Sequence, residues 1–557
     1  MSLHFNFSNR IFLTTLMNTK KRILLSLCSG LLLTPAWYEW GHGLILIIAL
    51  IPLLFVEDYL DQHKNEYGSG TFFRYAALAF FVWNTATTWW IVNATAIGAV
   101  AAILINTFMW SLVMWFFHII KRKLGPQIGY FSLILFWITW EYLYHNTEIS
   151  WPWLTLGNGF AYNIRMIQWY EYTGILGGSL WVLVLNVLIF NVLKGFFGEI
   201  PRRRLIAQCV LIMVIIGGPV AISLARFYTY HETPNPKTVV VIQPNIDPYE
   251  KFVSIPSLDQ THIQLSEAAR VADSSVDYFI APETSINNNI WMDKIEDVPD
   301  IRMIRSFLSS YPGASYVSGI QCAKLYKPGD QLTDNARDLP GTNLKYETFN
   351  AAIQLDSTRN VPFYFKSKLV VGVEKMPYKK YLKFLEKFTV RLGGTFRGWG
   401  TQNYRGVFFS AGDSTGVSPI ICYESVYGEF VTGYVKNGAN LLFVITNDGW
   451  WGDTPGYHQH NAFSGLRAIE TRRSIARSAN TGISCLINQR GEILQQLGWW
   501  QRGAIKGTIN ANDALTYYVK NGDYIGRSAS FFALLMVLLY IMRTFMQVSK
   551  KLTKNKR

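Results

Sequence analysis

Apolar residues are concentrated in long runs at the two ends of the chain, whereas the middle alternates between short apolar and polar stretches. A helix needs about 20 consecutive apolar residues to cross a bilayer, because every backbone polar group must be satisfied within the segment. The pattern predicts seven such spans before the middle region and an eighth near the C-terminus. These spans cover approximately residues 23–39, 43–57, 73–92, 95–119, 128–145, 172–196, 205–226 and 528–547.

The middle of the chain has the pattern of an α/β domain. Residues 238–242 are mostly β-branched and apolar, a polar helical stretch follows near 257–273, and residues 278–280 are apolar again. Strands that alternate with helices in this way are typical of a layered α/β sandwich. Further strands are predicted at 315–321, 350–355, 362–370, 417–422, 440–446 and 482–488, with helices near 299–310, 426–437 and 459–476.

These two patterns divide the chain into three parts. We predict seven transmembrane helices in residues 1–227, an α/β domain in 228–527, and the eighth transmembrane helix with a basic tail in 528–557. Translation begins at either Met1 or Met17, because Met17 opens a Met-Asn-Thr-Lys-Lys-Arg segment directly before the first apolar run.

The net charge of +15 does not indicate a nucleic-acid-binding protein, because lysine and arginine cluster at the ends of apolar runs. Basic residues in short connections mark the cytoplasmic side of a membrane protein. Clusters occur at 20–22, 121–123 and 202–204 and in the C-terminal tail, and an even number of spans returns the chain to its starting side. Both termini are therefore predicted to be cytoplasmic, with the α/β domain on the opposite side of the membrane.

No disulfide, metal or nucleotide site is predicted. The five cysteines are scattered without a Cys-x-x-Cys pair, so neither a disulfide framework nor a zinc ribbon is indicated. His458 and His460 form a His-x-His pair, but no third ligand stands at a suitable spacing. The glycines form neither a dinucleotide-binding pattern nor a P-loop, so no cofactor is expected.

Three polar residues end apolar segments of the α/β domain. Glu283 follows Phe-Ile-Ala-Pro, Lys366 follows Phe-Tyr-Phe, and Cys422 follows Pro-Ile-Ile. Strand ends are where α/β folds hold their sites. Each residue alone has an ordinary explanation, as a turn residue, a solvated charge or a core thiol. Together they supply the base, the oxyanion-stabilising cation and the nucleophile that acyl transfer needs.

Further motifs surround these three residues along nearly the whole chain. They are Trp151-Pro-Trp-Leu-Thr-Leu-Gly, Gln243-Pro-Asn, Lys366 with Glu374, Cys422-Tyr-Glu, Thr446-Asn-Asp-Gly-Trp-Trp-Gly, Arg467-Ala-Ile-Glu and Arg477-Ser-Ala-Asn. In combination they resemble the apolipoprotein N-acyltransferase family of the nitrilase superfamily. Two departures stand out: the family usually has Leu-Val-Pro-Phe-Gly-Glu where residues 369–374 read Leu-Val-Val-Gly-Val-Glu, and commonly has Trp where Phe252 stands.

The resemblance implies a fold and a reaction. The fold is a membrane-embedded helical bundle that carries an extracytoplasmic, nitrilase-like four-layer α/β sandwich. The reaction transfers a fatty acyl chain from a membrane phospholipid, through a thioester, to the α-amino group of the diacylglyceryl-cysteine of an apolipoprotein, as the last step of bacterial lipoprotein maturation. The cycle is ping-pong, and the enzyme is expected to be a monomer in the cell inner membrane, without a cofactor.

The resemblance also implies roles for single residues. Cys422 is the nucleophile, Glu283 the general base, and Lys366 the group that stabilises the oxyanion and, as a cation near sulfur, is expected to lower the pKa of the thiol. The expected supporting residues are Glu374, Tyr423 and Glu424, and the expected substrate-binding residues are Phe252, Asn447, Trp450 and Trp451. For the two glutamates the alternative explanation is an ordinary salt bridge, and for the two tryptophans it is a place in the core.

A stretch that begins at Tyr378 and ends at Phe388 mixes aromatic and basic residues, as helices at a membrane surface do. It is predicted either to be an arm that touches lipid or to be an amphipathic helix packed on its own domain.

Two other functions remain open. A nitrilase-like amidase tethered to the membrane would share the three residues but would need only one anchoring helix. A transporter or receptor with an extracytoplasmic binding domain would bury ionisable residues within several spans. In the predicted spans the ionisable residues lie near the ends, namely Glu57, Arg74, Glu141, Lys194, Arg226 and Arg543.

Overall fold

The computed structural model describes residues 17–196, 201–381 and 398–554. Of the two candidate start sites, Met1 lies outside these residues and Met17 lies within them. Most of the aromatic and basic stretch that begins at Tyr378 also lies outside the described residues, so its role stays a prediction.

The N-terminal part of the chain is a bundle of helices, and each predicted span contains helix. The Asn18 side chain caps the first helix by accepting a hydrogen bond from the Lys21 amide. The helices of the bundle, numbered in chain order, are α1 (Thr19–Leu33), α2 (Leu46–Ala49), α3 (Ile51–Gln62), α4 (Gly70–Thr88), α5 (Ala96–Leu124), α6 (Pro126–Tyr144), α7 (Tyr170–Phe196), α8 (Arg202–Thr229) and, at the C-terminal end, α15 (Tyr524–Lys554).

Not every helix of the bundle is long enough to cross a membrane alone. Helix α1 has 15 residues, which span about 22 Å, whereas the hydrocarbon core of a bilayer is about 30 Å thick. The number of eight spans therefore stays a prediction. Among the described residues, 5 helical segments are long and apolar enough to cross, and they are Gly43–Gln62, Ala96–Leu124, Tyr170–Phe196, Arg202–Thr229 and Tyr524–Ser549.

Helix α8 presents its apolar side chains to the outside of the molecule. In the most apolar stretch of α8, 0% of the residues are buried inside the protein. Met213, Val214 and Ile222 are each more than 60% exposed. An apolar surface of this size is unfavourable in water but matches the acyl chains of a bilayer. The chain is thus a membrane protein.

A buried cluster of charges links three helices of the bundle. Lys121 in the last turn of α5 donates to Asp58 of α3 at 3.2 Å, and Lys194 of α7 donates to the same carboxylate at 2.6 Å. Glu57 of α3 pairs with Lys121 and lies 2.6 Å from His118. Buried charges are stable only when paired in this way. The prediction that Glu57 lies near the end of a span is wrong, because α3 continues to Gln62 and Glu57 is fully buried in the middle of this helix.

The strands of the α/β domain form two sheets. The strands of the first sheet are β1 (Pro236–Gln243), β2 (Tyr278–Ile280), β3 (Ile286–Trp291), β4 (Ser315–Leu325), β5 (Arg337–Asp338), β6 (Lys345–Leu355), β7 (Phe363–Phe365) and β14 (Gly503–Asn510). The strands of the second sheet are β8 (Phe408–Phe409), β9 (Gly416–Ile421), β10 (Leu441–Thr446), β11 (Ile475–Ala479), β12 (Ser484–Ile487) and β13 (Ile493–Leu497).

Each sheet has a parallel centre and antiparallel edges. The first has the order β14-β1-β2-β4-β6-β5, with β3 beside β4 and β7 beside β6, and the second has the order β13-β12-β11-β10-β9-β8. Parallel neighbours such as β1 and β2, or β9 and β10, need a crossover connection, and helices supply it. The helices of the domain are α9 (Pro248–Lys251), α10 (Ser257–Ala269), α11 (Pro299–Leu308), α12 (Gly428–Lys436), α13 (Pro455–Thr471) and α14 (Tyr517–Asn521).

Alternate residues of one strand face different layers. Val239 and Val241 of β1 belong to the core that includes the second sheet, while Val240 and Ile242 belong to a core that includes α10 and α11. This period of two is the geometry of a strand buried on both faces. The predicted layered α/β sandwich, with helices outside two packed sheets, is confirmed.

The boundaries of two predicted elements are wrong. The helix predicted at 459–476 ends at Thr471, because Arg472 has a left-handed backbone with φ of 50°, and residues 475–479 form strand β11. The strand predicted at 362–370 covers only 363–365. Strands β3, β5, β8, β11, β13 and β14 are not among the predicted strands.

Candidate active site

The three polar residues predicted at strand ends come together from both sheets. Glu283 stands three residues after β2 and Lys366 directly after β7 in the first sheet, while Cys422 directly follows β9 in the second. Their exposed fractions are 6%, 1% and 8% respectively. A site that excludes water to this degree strengthens every electrostatic interaction within it.

Lys366 forms two salt bridges at the centre of the site. Its Nζ donates to Oε1 of Glu283 at 2.9 Å and to Oε1 of Glu374 at 2.8 Å. The Val370 amide donates to the other oxygen of Glu374 at 2.8 Å. Burial acts to lower the pKa of Lys366, but the Glu283 and Glu374 carboxylates outweigh it and hold the pKa well above its ordinary value. Lys366 is therefore a fixed cation, and Glu374 is the salt-bridge partner that positions it.

Asn350 also binds both carboxylates, and the sequence analysis did not identify it. Its Nδ2 donates to Glu283 Oε1 at 2.8 Å and to Glu374 Oε1 at 3.2 Å, while its carbonyl accepts from the Lys366 amide at 2.9 Å. Asn350 and Lys366 both donate to Oε1 of Glu283. The other carboxylate oxygen, Oε2, is therefore the one available to receive a proton.

The backbone of Cys422 is in the left-handed region, with φ of 50°. Cys422 opens a short 3₁₀ turn, Cys422–Val426, directly after strand β9. A residue with a side chain costs about 1–3 kcal/mol in a conformation of this kind, so the surrounding contacts must hold it there. Such strain is typical of sites where a side chain is held in a fixed direction.

The Cys422 thiol is protonated in the resting site. Burial and the Glu283 charge raise its pKa above the ordinary value, and Lys366 opposes them only in part. The expectation that the cation lowers the pKa of the thiol is therefore wrong in its net effect, because desolvation of a thiolate outweighs one nearby charge. The sulfur consequently needs a base to remove its proton before it can attack.

Glu424 joins the two loops that carry Cys422 and Lys366. One oxygen accepts from the Ile421 amide at 2.9 Å, and the other accepts from the Ser367 amide at 2.6 Å. Its other hydrogen bonds come from the hydroxyls of Tyr364 and Tyr434, at 2.7 and 3.1 Å, and from the Lys368 amide at 3.4 Å. Glu424 is thus a positioning residue rather than one half of an ordinary surface salt bridge.

A buried histidine contacts the backbone of Cys422. His460 Nε2 lies 3.2 Å from the Cys422 carbonyl oxygen, and Nδ1 lies 2.9 Å from Asp448 Oδ1. Arg477 donates to the other oxygen of Asp448 at 2.6 Å. Burial acts to raise the pKa of Asp448, but Arg477 and His460 outweigh it and lower the pKa to about 2. The network links helix α13 to the turn that holds the thiol.

Lys251 is a second residue near the site that the sequence analysis did not identify. Its Nζ donates to the Glu283 carbonyl and to Thr284 Oγ1, both at 2.9 Å. Burial lowers the pKa of Lys251 to about 7, against the opposing charge of Glu283. Thr284 has a left-handed backbone with φ of 49°, so Lys251 secures a strained turn directly beside Glu283.

The described residues contain no group of three or more His, Cys, Asp or Glu side chains that could hold a metal ion. His460 is engaged with Cys422 and Asp448, and His458 lies 2.7 Å from Glu39 on a different helix face. The His-x-His pair therefore does not act as one unit.

Two family models match separate parts of the chain. The apolipoprotein N-acyltransferase N-terminal domain matches residues 29–188, and the carbon-nitrogen hydrolase model matches residues 335–517. Proteins named apolipoprotein N-acyltransferase match along most of the length: one from Chlorobaculum tepidum is 28% identical over 91% of this chain and 94% of that protein. The chain is thus similar to apolipoprotein N-acyltransferases along most of its length. A relative from Geobacter metallireducens is 27% identical over 90% of this chain and 92% of its own.

Two solved structures are similar to about half of the chain. An amidase from Nesterenkonia is 15% identical, covers 52% of this chain and 95% of its own, and has a TM-score of 0.34. A CN-hydrolase superfamily protein from Xanthomonas campestris is also 15% identical, covers 53% of this chain and 97% of its own, and has a TM-score of 0.33.

Three of the residues expected at the substrate take part in aromatic contacts. Phe252 is 43% exposed and stacks on Trp450 at 6.4 Å between ring centroids. Trp451 packs 4.9 Å from Trp90 of the bundle, and its carbonyl accepts from Asn93 at 2.7 Å. Trp451 is therefore part of the junction with the bundle, while Phe252 and Trp450 form an aromatic pair in which Phe252 is exposed and Trp450 is partly buried.

The fourth expected substrate-binding residue, Asn447, and the expected supporting residue Tyr423 are both buried. Asn447 accepts from the Asn480 side chain at 3.2 Å. Tyr423 donates to the Ser150 carbonyl at 3.0 Å and stacks on Trp151 at 5.9 Å. Because Ser150 and Trp151 belong to the loop after α6, Tyr423 fixes the turn that holds the thiol directly onto the bundle.

Proposed function

We propose that this protein transfers a fatty acyl chain from a membrane phospholipid to the α-amino group of a diacylglyceryl-cysteine at the N-terminus of apolipoproteins, through a thioester on Cys422. The observation that carries the proposal is the buried convergence of Glu283, Lys366 and Cys422 in a domain attached to an apolar bundle. Relatives along most of the chain are named for this activity.

The first half-reaction acylates the enzyme. Glu283 takes the thiol proton of Cys422, and the sulfur attacks the ester carbonyl carbon of the lipid, which forms a C–S bond and an oxyanion. Lys366 stabilises that oxyanion as a preorganised cation in a dry site. The intermediate collapses with cleavage of the ester C–O bond, and Glu283 returns its proton to the leaving alkoxide, which departs as a lysophospholipid.

The second half-reaction transfers the acyl group to the amine. The lipoprotein α-amine attacks the thioester carbonyl carbon while Glu283 takes a proton from the nitrogen. The new oxyanion again faces Lys366. Its collapse breaks the C–S bond, and the Glu283 proton returns to sulfur, which restores the thiol of Cys422 and completes a ping-pong cycle.

The helical bundle holds the acylation site close to the lipid substrates. Both substrates are anchored in lipid by acyl chains, and the turn that holds Cys422 is bound to the loop after α6 through Tyr423. A site fixed to the end of a membrane bundle can reach the ester of a lipid that stays in the bilayer. We place the α/β domain on the extracytoplasmic side of the bacterial inner membrane, with both termini cytoplasmic, no cofactor and a monomeric enzyme.

The transfer is tested with purified, detergent-solubilised protein, a phospholipid and a diacylated lipopeptide. Mass spectrometry is expected to show a triacylated lipopeptide and a lysophospholipid in equal amounts, and neither product with Cys422→Ala. Hydrolysis of small amides without acyl transfer would instead identify a membrane-tethered amidase. Function that persists with Cys422→Ala would contradict the enzymatic proposal and favour a transporter or receptor.

A further inference from the structure

A polar cavity lies where the α/β domain meets the end of the bundle. Its volume is about 170 Å³, and it adjoins the acylation site, because Lys368 follows Lys366 by two residues and Tyr427 directly follows the turn that Cys422 opens. The residues that line it include His145, Lys368, Arg405, Glu429, Phe430 and Asp523.

Two cations in this wall lack a carboxylate partner among the ion pairs of the described residues. Lys368 Nζ donates to the His145 carbonyl at 3.3 Å and lies 4.7 Å from the centre of the Tyr427 ring. The Arg405 guanidinium lies 4.0 Å above the Phe430 ring. Burial and the like charges of Lys375 and Arg405 lower the pKa of Lys368 to about 8, against the opposing charges of Glu424 and Glu429.

The carboxylates of the wall are engaged by other groups. Glu429 Oε1 accepts from Arg527 at 2.8 Å and from the Asp523 amide at 3.2 Å. Asp523 accepts from the Tyr518 hydroxyl at 2.6 Å. Burial and the Glu429 charge raise the pKa of Asp523 to about 7, so this carboxyl carries only part of its charge near neutral pH. The cavity therefore has a net positive wall.

The backbone adds to this positive character. Helix α12 begins at Gly428 in the wall, and no side chain caps its N-terminus, where the helix dipole and free amides favour an anion. His145 lines the same wall but adds no charge, because burial and the nearby charges of Lys368 and Arg467 lower the pKa of its imidazole to about 3. Its Nε2 contacts Thr155 at 2.9 Å, and its Nδ1 lies 4.0 Å from Asp523.

We propose that this cavity binds a phosphate group through Lys368, Arg405 and the N-terminus of α12. Arginine and lysine are the usual ligands of phosphate in proteins. Resting on the proposed function, the inference assigns the headgroup phosphate of the donor phospholipid as the ligand, because the cavity lies beside the residues that attack the lipid ester. Free inorganic phosphate is the other source of the same chemistry.

The test compares two acyl donors on the full-length protein in detergent. The double variant Lys368→Met with Arg405→Gln is compared with wild type and with Arg270→Gln, whose side chain is 72% exposed on helix α10. The acylation rate of Cys422 is measured by mass spectrometry with a glycerophospholipid and with a phosphate-free p-nitrophenyl ester. The ratio of the two rates is expected to fall about 10- to 100-fold in the double variant, the effect of lost charge-assisted hydrogen bonds, and to match wild type in Arg270→Gln.

An unchanged ratio in an acylated double variant overturns the inference while the proposed function stands. If wild type is acylated by neither donor, the proposed function fails, and ³¹P NMR of inorganic phosphate and of glycerophosphoethanolamine tests the cavity alone. Line broadening of glycerophosphoethanolamine that disappears in the double variant supports a lipid headgroup site. If only the inorganic phosphate signal broadens, the assignment to lipid is overturned. If neither signal broadens, or if the double variant broadens them as much as wild type does, the proposed phosphate site itself is overturned.

Discussion

His460 Nε2 lies 3.2 Å from the backbone carbonyl oxygen of Cys422, so a buried imidazole supports the residue that carries the thiol. Cys422 has φ of 50°, a conformation that needs such support. The same ring contacts Asp448, which Arg477 holds from the other side. The direction of the thiol therefore depends on side chains that never touch the substrate.

Replacing His460 with alanine is expected to slow acylation of Cys422 by roughly 10- to 100-fold, because a misplaced nucleophile loses its aligned attack. The rate is measured by mass spectrometry of the acyl adduct. His458→Ala is the matched control, since His458 stands two residues away with a side chain that is 30% exposed. Equal rates for His460→Ala and wild type would contradict the positioning role.

Replacing Glu283 with glutamine is expected to slow acylation by about 10²–10⁴-fold, the usual contribution of a general base. Burial and Glu283 raise the pKa of the Cys422 thiol, so without the base the thiolate must form from solvent. The remaining rate should then rise about tenfold per pH unit at neutral pH, whereas the wild-type rate should change little. Acylation rates from pH 6 to 9 measure this, with the exposed Glu296→Gln as control. A flat profile in Glu283→Gln would exclude Glu283 as the base.

Replacing Asn350 with alanine removes the amide that binds Glu283 and Glu374 together. We expect acylation to slow by about tenfold, in line with the loss of one or two hydrogen bonds to charged groups. Gln354→Ala is the control on the same strand, because Gln354 donates instead to the Phe409 carbonyl at 3.0 Å. If Asn350→Ala and Gln354→Ala slow acylation equally, the loss reflects general damage to strand β6 and contradicts a specific role of Asn350.

Lys251 is expected to make stability depend on pH. Burial lowers its pKa to about 7 in the folded protein, so between about pH 7 and the ordinary lysine pKa of about 10.4 the unfolded state binds the extra proton. Stability from this group therefore increases as the pH rises above 7, by up to about 1.4 kcal/mol per pH unit.

The measurement is the thermal unfolding midpoint of wild type and Lys251→Met in detergent from pH 6 to 9. The difference in favour of wild type should grow above pH 7. Lys345→Met is the control, because Lys345 is 40% exposed and pairs with Asp338 at 2.6 Å. A difference between wild type and Lys251→Met that is constant with pH would contradict the lowered pKa.

The three central residues were predictable because each ends a short apolar strand. Strand ends from two sheets meet in an α/β sandwich, so Glu283, Lys366 and Cys422 stand out as polar residues in otherwise buried positions. Local pattern marks such residues as candidates, and it was their combination and the family resemblance that singled out these three. Their distances and the protonated state of the thiol were not predictable, since both depend on how completely the packed sheets exclude water.

Residues that act through another residue leave no such signal. Asn350 lies within strand β6 and His460 within helix α13, where a polar side chain in the sequence looks like an ordinary solvated position. Strand β11 was missed for a related reason: Arg477 interrupts its apolar pattern, yet it is fully buried because Asp448 pairs with it at 2.6 Å. A charge neutralised by a partner far along the chain cannot be recognised from local periodicity.

The central claim is that Cys422 carries the acyl group as a thioester. The most direct measurement is mass spectrometry of the intact protein, and of its Cys422 peptide, after incubation with a phospholipid and no acceptor. The account predicts a mass increase of one acyl chain on Cys422 that hydroxylamine removes, that a diacylated lipopeptide discharges, and that Cys422→Ala lacks. Triacylated lipopeptide formed by a protein that never carries this adduct would contradict the account.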